Sequence, residues 1–298
     1  MKKLLVGYDG SGPAREAARM AGLLAKGLAA KVTVIAVGQV APLVVVPTGM
    51  VVRVAEEQDF LSVARDGAEI ARAMGADAED RVALGDPADS IVDLATREGF
   101  DLTVVGHRGM GQVAGLVLGS VAKRIAEQAP CPALVVRGRA PGAIKRILVA
   151  TDGSEHARRA TETAVALAVA FDAEVSLLYV LDPKLLGGVA DRKAKLDLRH
   201  ALERNGHEAL EDAARLCQKA GVAHETVLAV GRPAEVILKR ARFRGYDLVA
   251  VGRRGLGGMA RLLVGSVSDE VLRRAECPVL LVGEKAKAKA KAKPLAKD

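Results

Sequence analysis

Tryptophan is absent from this chain, and three tyrosines and four phenylalanines are all the large rings among its 298 residues. A core without such rings is filled by Val, Leu, Ile and Ala packed between layers, which favours a sheet covered by helices. Cysteine is scarce as well. Cys131, Cys217 and Cys277 form no Cys-x2-Cys pair and no ligand cluster, which excludes a disulfide scaffold and fits a reducing compartment. Cys131 and Cys277 each stand just before a proline and a strand and read as small buried residues. No apolar run approaches the ~20 residues that a membrane helix needs. The lysine-led opening Leu4-Leu5-Val6 resembles a secretory segment, but Asp9 and Gly10 interrupt it too early. The expected location is cytoplasmic, with no membrane contact.

Several kinds of chemistry are missing too. There is no Gly-x4-Gly-Lys-Ser/Thr, so the lysine that reaches the outer phosphates in P-loop proteins is absent. No Ser-His-Asp set, kinase set or zinc-ligand group can be assembled. His200 and His207 share a helix face without a ligand-spaced partner and read as solvated, while His156 and His224 suggest no role. No evident general base is present for attack of water on a phosphate, so binding is better supported than turnover.

The formal charge is +8, but half of that excess lies in residues 284–298, where six lysines face two acids. The remaining body is mildly basic, which argues against a dedicated nucleic-acid binder. Nucleic acid or an acidic partner would attach only through the Lys/Ala tail, in a salt-dependent and non-specific way. The tail itself reads as disordered.

What the chain does contain, it contains twice. Residues 99–136, GFDLTVVGHRGMGQVAGLVLGSVAKRIAEQAPCPALVV, return 146 positions later as GYDLVAVGRRGLGGMARLLVGSVSDEVLRRAECPVLLV. Both copies hold the spacing Gly-x2-Gly-x9-Gly-Ser, formed by Gly106, Gly109, Gly119 and Ser120, then by Gly252, Gly255, Gly265 and Ser266. The repeat divides the chain into a first domain (1–139), a linker (140–145), a second domain (146–283) and the tail, with a core expected in each half. Within each half, apolar strands alternate with helical spacing in the order βαβαβαβαβ. That order implies parallel pairing through right-handed crossovers, with helices on both faces of the sheet. Asp9 maps onto Asp152 and Val37 onto Val180 at an offset of 143, whereas Pro87 maps onto Pro233 at 146. Three extra residues therefore enter the second half after its second strand.

In an open α/β sheet, ligands bind beyond the carboxyl ends of the strands. There the first strand of each half ends in Asp9-Gly10-Ser11 or Asp152-Gly153-Ser154, which face the two glycine motifs if the first and fourth strands are neighbours. Phosphates would meet backbone N–H groups at the helix starts Gly119-Ser120 and Gly265-Ser266, where the helix dipole also favours negative charge. Asp9 and Asp152 have two readings, as turn residues or as acceptors for a ribose hydroxyl, an adenine amine or a metal shell. Arg108 and Arg254, with His107 and Arg253 beside them, screen phosphate charge in one reading and are solvated loop residues in the other.

These motifs resemble the universal stress proteins, in the tandem form with two domains per chain and in the ATP-binding branch. The resemblance covers about residues 2–137 and 145–283. It implies two Rossmann-like (adenine nucleotide alpha hydrolase-like) domains, each a five-stranded parallel sheet of order 3-2-1-4-5. It implies ATP, alone or with Mg2+, as the cofactor. Carried over, Asp9 and Asp152 contact the nucleoside and Val37 and Val180 the adenine. Gly106, Gly109, Gly119, Ser120 and Val121 hold ribose and phosphates in the first half, and Gly252, Gly255, Gly265, Ser266 and Val267 in the second. Ser268 adds a hydroxyl where the first half has Ala122, which marks the first site as the poorer one. The resemblance also implies an intramolecular pseudo-dimer through the last strand of each half, and leaves a further homo-oligomer open. The apolar loop 41–52 reads as a lid or an oligomer contact. Functionally, the chain reads as a nucleotide-dependent stress-response regulator or sensor. A slow ATPase or self-phosphorylating enzyme, with Asp9 or Asp152 holding Mg2+, is a second reading, and tethering through the basic tail a third.

Overall fold

The central strands of the sheet are short and apolar, and Lys3–Gly7, Leu102–Gly106, Arg146–Ala150 and Leu248–Gly252 are each followed by a helix. The computed structural model describes the chain apart from residues 39–43, 46–50, 53–56, 110–117, 189, 257–263 and 285–298; of 44–45, 51–52 and 57–58 it describes the backbone only. The first half runs β1 (Lys3–Gly7), α1 (Gly12–Leu28), β2 (Lys31–Gly38), a hairpin of β3 (Val44–Val45) and β4 (Val51–Val52), then α2 (Glu57–Ala73). It continues through β5 (Asp77–Leu84), α3 (Pro87–Glu98), β6 (Leu102–Gly106), α4 (Ser120–Gln128) and β7 (Ala133–Val136). The second half repeats the plan with β8 (Arg146–Ala150), α5 (Glu155–Phe171), β9 (Glu174–Leu181) and a 3-10 turn (Pro183–Leu186). After it come α6 (Arg192–Lys219), β10 (His224–Val230), α7 (Pro233–Arg244), β11 (Leu248–Gly252), α8 (Ser266–Arg274) and β12 (Val279–Val282). The 3-10 turn and the 28-residue α6, against 17 residues in α2, stand where the sequence calls for the three extra residues.

All ten of these main strands form one sheet in the order β10-β9-β8-β11-β12-β7-β6-β1-β2-β5. Each half contributes five parallel strands in the order 3-2-1-4-5, and the halves meet where β12 runs antiparallel to β7, with Leu280 opposite Leu134. Both of those leucines are buried.

Buried side chains sort by face of the sheet and not by half, which differs from the separate cores expected from the repeat. One layer joins Leu4, Val6 and Leu134 to Val149, Leu177 and Leu280 beneath α1, α2, α5 and α6. The other joins Leu5, Val105 and Val135 to Leu148, Val251 and Leu281 beneath α3, α4, α7 and α8. The reason is geometric: the β7–β12 seam makes the sheet continuous, so each helix layer closes over ten strands instead of five. The segment between the halves is pinned as well. Ala140 N–H donates to Glu16 (2.8 Å), Ile144 is fully buried, and Lys145 N–H donates to Asp247 (2.7 Å).

Among the described residues, no helix is long and apolar enough to cross a membrane. The Lys/Ala tail and most of the apolar loop 41–52 lie outside the described residues, apart from the β3–β4 pairing.

Candidate functional site

The turns after β1 and β8 are built by a side chain and a glycine. Asp9 Oδ1 accepts from Ser11 N–H and Asp152 Oδ1 from Ser154 N–H, both at 3.0 Å. Between them, Gly10 and Gly153 sit at φ 82° and 80°, a left-handed backbone that residues with a Cβ adopt only at a cost. Ser11 and Ser154 then cap α1 and α5 by accepting from Ala14 N–H and Ala157 N–H. Their hydroxyls also reach the carbonyls of Arg108 (3.5 Å) and Arg254 (3.3 Å), which ties this turn to the glycine loop opposite.

The glycines of the motif are positions of close approach. A Cβ on Gly109 would lie 2.4 Å from Asp9 Oδ2, and one on Gly255 would lie 2.2 Å from Asp152 Oδ2. Asp152 Oδ2 moreover accepts from Leu256 N–H at 3.0 Å. Gly106 and Gly252 let the starts of α1 and α5 press against β6 and β11, where a Cβ would meet Pro13 C at 2.6 Å and Ala157 N at 2.8 Å. Each loop is closed at its base by Gly119 N–H donating to His107 O and Gly265 N–H donating to Arg253 O, both at 2.8 Å. Both carboxylates thus brace their turns, and that of Asp152 also braces the glycine loop.

What the loops leave open is the start of the following helix. Where α1, α3 and α5 have side-chain caps from Ser11, Asp86 and Ser154, α4 and α8 begin at Gly119 and Gly265 with no side-chain cap bond. Their first N–H groups are the orphan donors that suit an anion. In the first half this helix start opens on a cleft of ≈ 390 Å³ that brings together all eight residues singled out there: Asp9, Val37, Gly106, Arg108, Gly109, Gly119, Ser120 and Val121. Tyr8, Ile35, Pro87, Ile91 and Val105 add an apolar wall that the motif spacing did not reveal. Its only sequence signal was the apolar character of the strand ends. Tyr8 is held there by a hydrogen bond from its hydroxyl to Asp66, and burial followed by that carboxylate pushes its pKa well up.

The second half repeats the scaffold with different side chains. Asp152, Gly252, Arg254, Gly255, Gly265, Ser266 and Val267 keep the corresponding backbone positions, and Val180, on β9, packs half-buried against the core. Ser268 is buried, and its hydroxyl donates to Gly252 O at 2.6 Å. The Ala122/Ser268 difference is thus a difference in how the helix is tied to the strand. His156, to which the sequence assigned no role, is buried with Nδ1 accepting from Arg254 N–H at 3.0 Å.

His107 and Arg253 are both engaged by groups of the protein itself. Buried His107 accepts from Arg108 Nε at Nε2 (2.9 Å), and that acceptance assigns its proton to Nδ1, which faces Val136 O at 3.3 Å. Burial, then the guanidiniums of Arg137 and Arg108, push its pKa down to about 4, so the ring is neutral at neutral pH. Arg253 turns away from its own cleft and donates from Nη2 to Ala129 O (2.9 Å) and from Nη1 to Glu127 O (3.4 Å) at the end of α4 in the other half.

The model of the Universal stress protein family matches this chain twice, over residues 1–137 and 143–283. The chain belongs to that family. Each match spans one run of five parallel strands and one glycine motif. Among curated relatives, universal stress protein YxiE of Bacillus subtilis is 37% identical over 46% of this chain and 97% of its own length. A universal stress protein of Thermus aquaticus is 40% identical over 46% of this chain and 98% of its own. The crystal structure of a universal stress protein from Archaeoglobus fulgidus covers 94% of this chain and 98% of its own, with a TM-score of 0.66 at 22% identity, a likeness of fold.

Proposed function

We propose that this universal stress protein binds ATP at the carboxyl ends of its strands and acts as a nucleotide-dependent regulator or sensor of stress. The observation that carries the reading is the cleft in which Asp9, Val37, Gly106, Arg108, Gly109, Gly119, Ser120 and Val121 converge on an uncapped α4. Half-buried Val37 and buried Ile35 offer a surface for a flat base, and the free N–H groups of α4 offer donors for phosphate. The units are residues 1–139 and 146–283, joined by 140–145, with a second nucleotide at Asp152, Val180, Gly252, Gly255, Gly265, Ser266 and Val267.

The helix dipole contributes only about 0.3–1 kcal/mol. A micromolar complex needs about 8 kcal/mol, so several N–H bonds, the exposed Ser120 hydroxyl and contacts to the base share the binding. Among the described residues no group of three His, Cys, Asp or Glu is placed to hold a metal. Mg2+ would therefore arrive with the phosphates, as is usual for this ion. Binding with differential affinity for two conformations or assemblies is all that a sensor requires.

The test is isothermal titration of the full chain with ATP, together with mass spectrometry of small molecules released on denaturation. Two nucleotides per chain are expected. No heat of binding and no released nucleotide would overturn the reading.

A further inference from the structure

The first half carries a guanidinium, that of Arg137, two of whose nitrogens find no acceptor. Arg137 follows β7, and its Nε and Nη2 are buried with no hydrogen-bond partner. Arg108 and His107 stand beside it, and burial and Arg108 together hold the Arg137 pKa below its usual range. Among the described residues no carboxylate pairs with Arg137.

In the second half the same neighbourhood is satisfied in part from within, although Arg253 Nε and Arg254 Nε are also buried without an acceptor. Position 253 holds Arg where position 107 holds His, and position 283 holds Gly where position 137 holds Arg. A Cβ on Gly283 would lie 2.8 Å from Arg253 Cζ, so the missing side chain makes room for that guanidinium. Arg253 then spends both Nη groups on Glu127 O and Ala129 O. Each half thus brings one guanidinium to this place, from opposite positions: the buried one from 253 finds two carbonyls, while the half-buried one from 137 leaves its buried Nε and Nη2 without an acceptor. Buried polar groups are almost always hydrogen-bonded, and an orphan is costly, so an acceptor supplied from outside is the economical explanation for Arg137.

We propose that Arg137, with Arg108 between it and the cleft, forms an anion subsite unique to the first half, which takes a phosphate group. Resting on the nucleotide reading, the phosphate is an outer one of a polyphosphate tail on α4. The shared chemistry also admits free phosphate. Arg108 lines the cleft and contacts His107, so the subsite is continuous with the phosphate end of the ligand. The consequence is inequivalence: the first site discriminates by phosphate number, and the second, with Arg253 committed elsewhere, does not.

The experiment follows the Arg137 Nε–H signal of the full chain by NMR, assigned by its loss in Arg137→Lys, during titration with ATP, AMP and inorganic phosphate. In parallel, calorimetry compares wild type with Arg137→Gln. ATP is expected to move the signal and AMP to leave it in place. In Arg137→Gln one of two sites should lose about tenfold in ATP affinity, as for removal of one charge-assisted hydrogen bond, with AMP unchanged. A signal moved by inorganic phosphate alone, with no ATP binding, supports the subsite and refutes the nucleotide reading. ATP bound at two sites with the signal unmoved by ATP and by phosphate leaves the nucleotide reading intact and overturns the subsite, the guanidinium then being merely hydrated. The signal is read in wild type, so misfolding of a variant does not remove the test.

Discussion

Arg253 Nη2 donates to the carbonyl of Ala129, 124 residues earlier in the chain, at 2.9 Å. The bond caps the end of α4 with a cation, which the helix dipole also favours, and it crosses from one half to the other. Hydrogen bonds to charged groups contribute about 1.5–3 kcal/mol each. Arg253→Met should therefore destabilise the chain by about 2–3 kcal/mol, read as a lowered urea midpoint. Gly283→Ala should do similar damage by displacing the guanidinium. The double variant should cost less than the two singles added, because both act on one group. Strict additivity would show that Arg253 and Gly283 are not coupled.

A second coupled pair braces the glycine loop. A methyl at position 255 would meet Asp152 Oδ2 at 2.2 Å, and that oxygen already accepts from Leu256 N–H. Gly255→Ala must rotate the carboxylate and break this bond, an expected loss of about 1–3 kcal/mol. In an Asp152→Ala background the same substitution should be nearly neutral. An equal loss in both backgrounds, by chemical denaturation, would move the cause of strain to the backbone.

The neutral His107 ring predicts a pH dependence. Its pKa lies at about 4 in the folded chain against 6.5 for an ordinary histidine, so the unfolded chain takes up the proton first. The stability it contributes is complete above 6.5 and is lost progressively as pH falls toward 4. Hydrogen bonds hold the carboxylates of Glu79, Asp86 and Glu225 below their ordinary range, which leaves the upper part of this window to the histidine. Urea midpoints of wild type should fall between about pH 7 and pH 5, and those of His107→Gln should fall less. Parallel curves would refute the assignment.

Local rules made much of this architecture readable. Strands such as Leu102–Gly106 and Leu248–Gly252 are short apolar runs before glycine, and the 146-residue offset between them announced two equivalent units. The residues of the first cleft were legible because a glycine forced by close approach leaves a fixed spacing. Arg253 was not legible, since its partners belong to the other half and come near only through the β7–β12 seam. Nor was the sorting of the core by sheet face, which depends on the same seam. Tyr8 and His156 escaped for a different reason: one aromatic at a strand end and one histidine at a helix start carry no spacing, and their roles come from Asp66 and from Arg254 N–H.

The uncapped helix start offers a way to separate binding from folding. Gly265 has the extended backbone of an ordinary N-cap, φ −70° and ψ 151°, and a Cβ there meets nothing closer than 3.6 Å. Gly265→Asp therefore fits, and its carboxylate would accept from the N–H groups of α8. Relative to glycine, such a cap is worth only a few tenths of a kcal/mol, so the melting temperature should hold or rise slightly. The same carboxylate occupies the donors proposed for phosphate and repels it, so the second site should lose ATP affinity by tenfold or more, on the order of 1.4 kcal/mol. Gly265→Ser, which caps without charge, should lose less. Full ATP affinity at both sites in a stable Gly265→Asp chain would mean that the nucleotide's phosphates lie elsewhere, because no anion could share those N–H groups with a carboxylate already bonded to them.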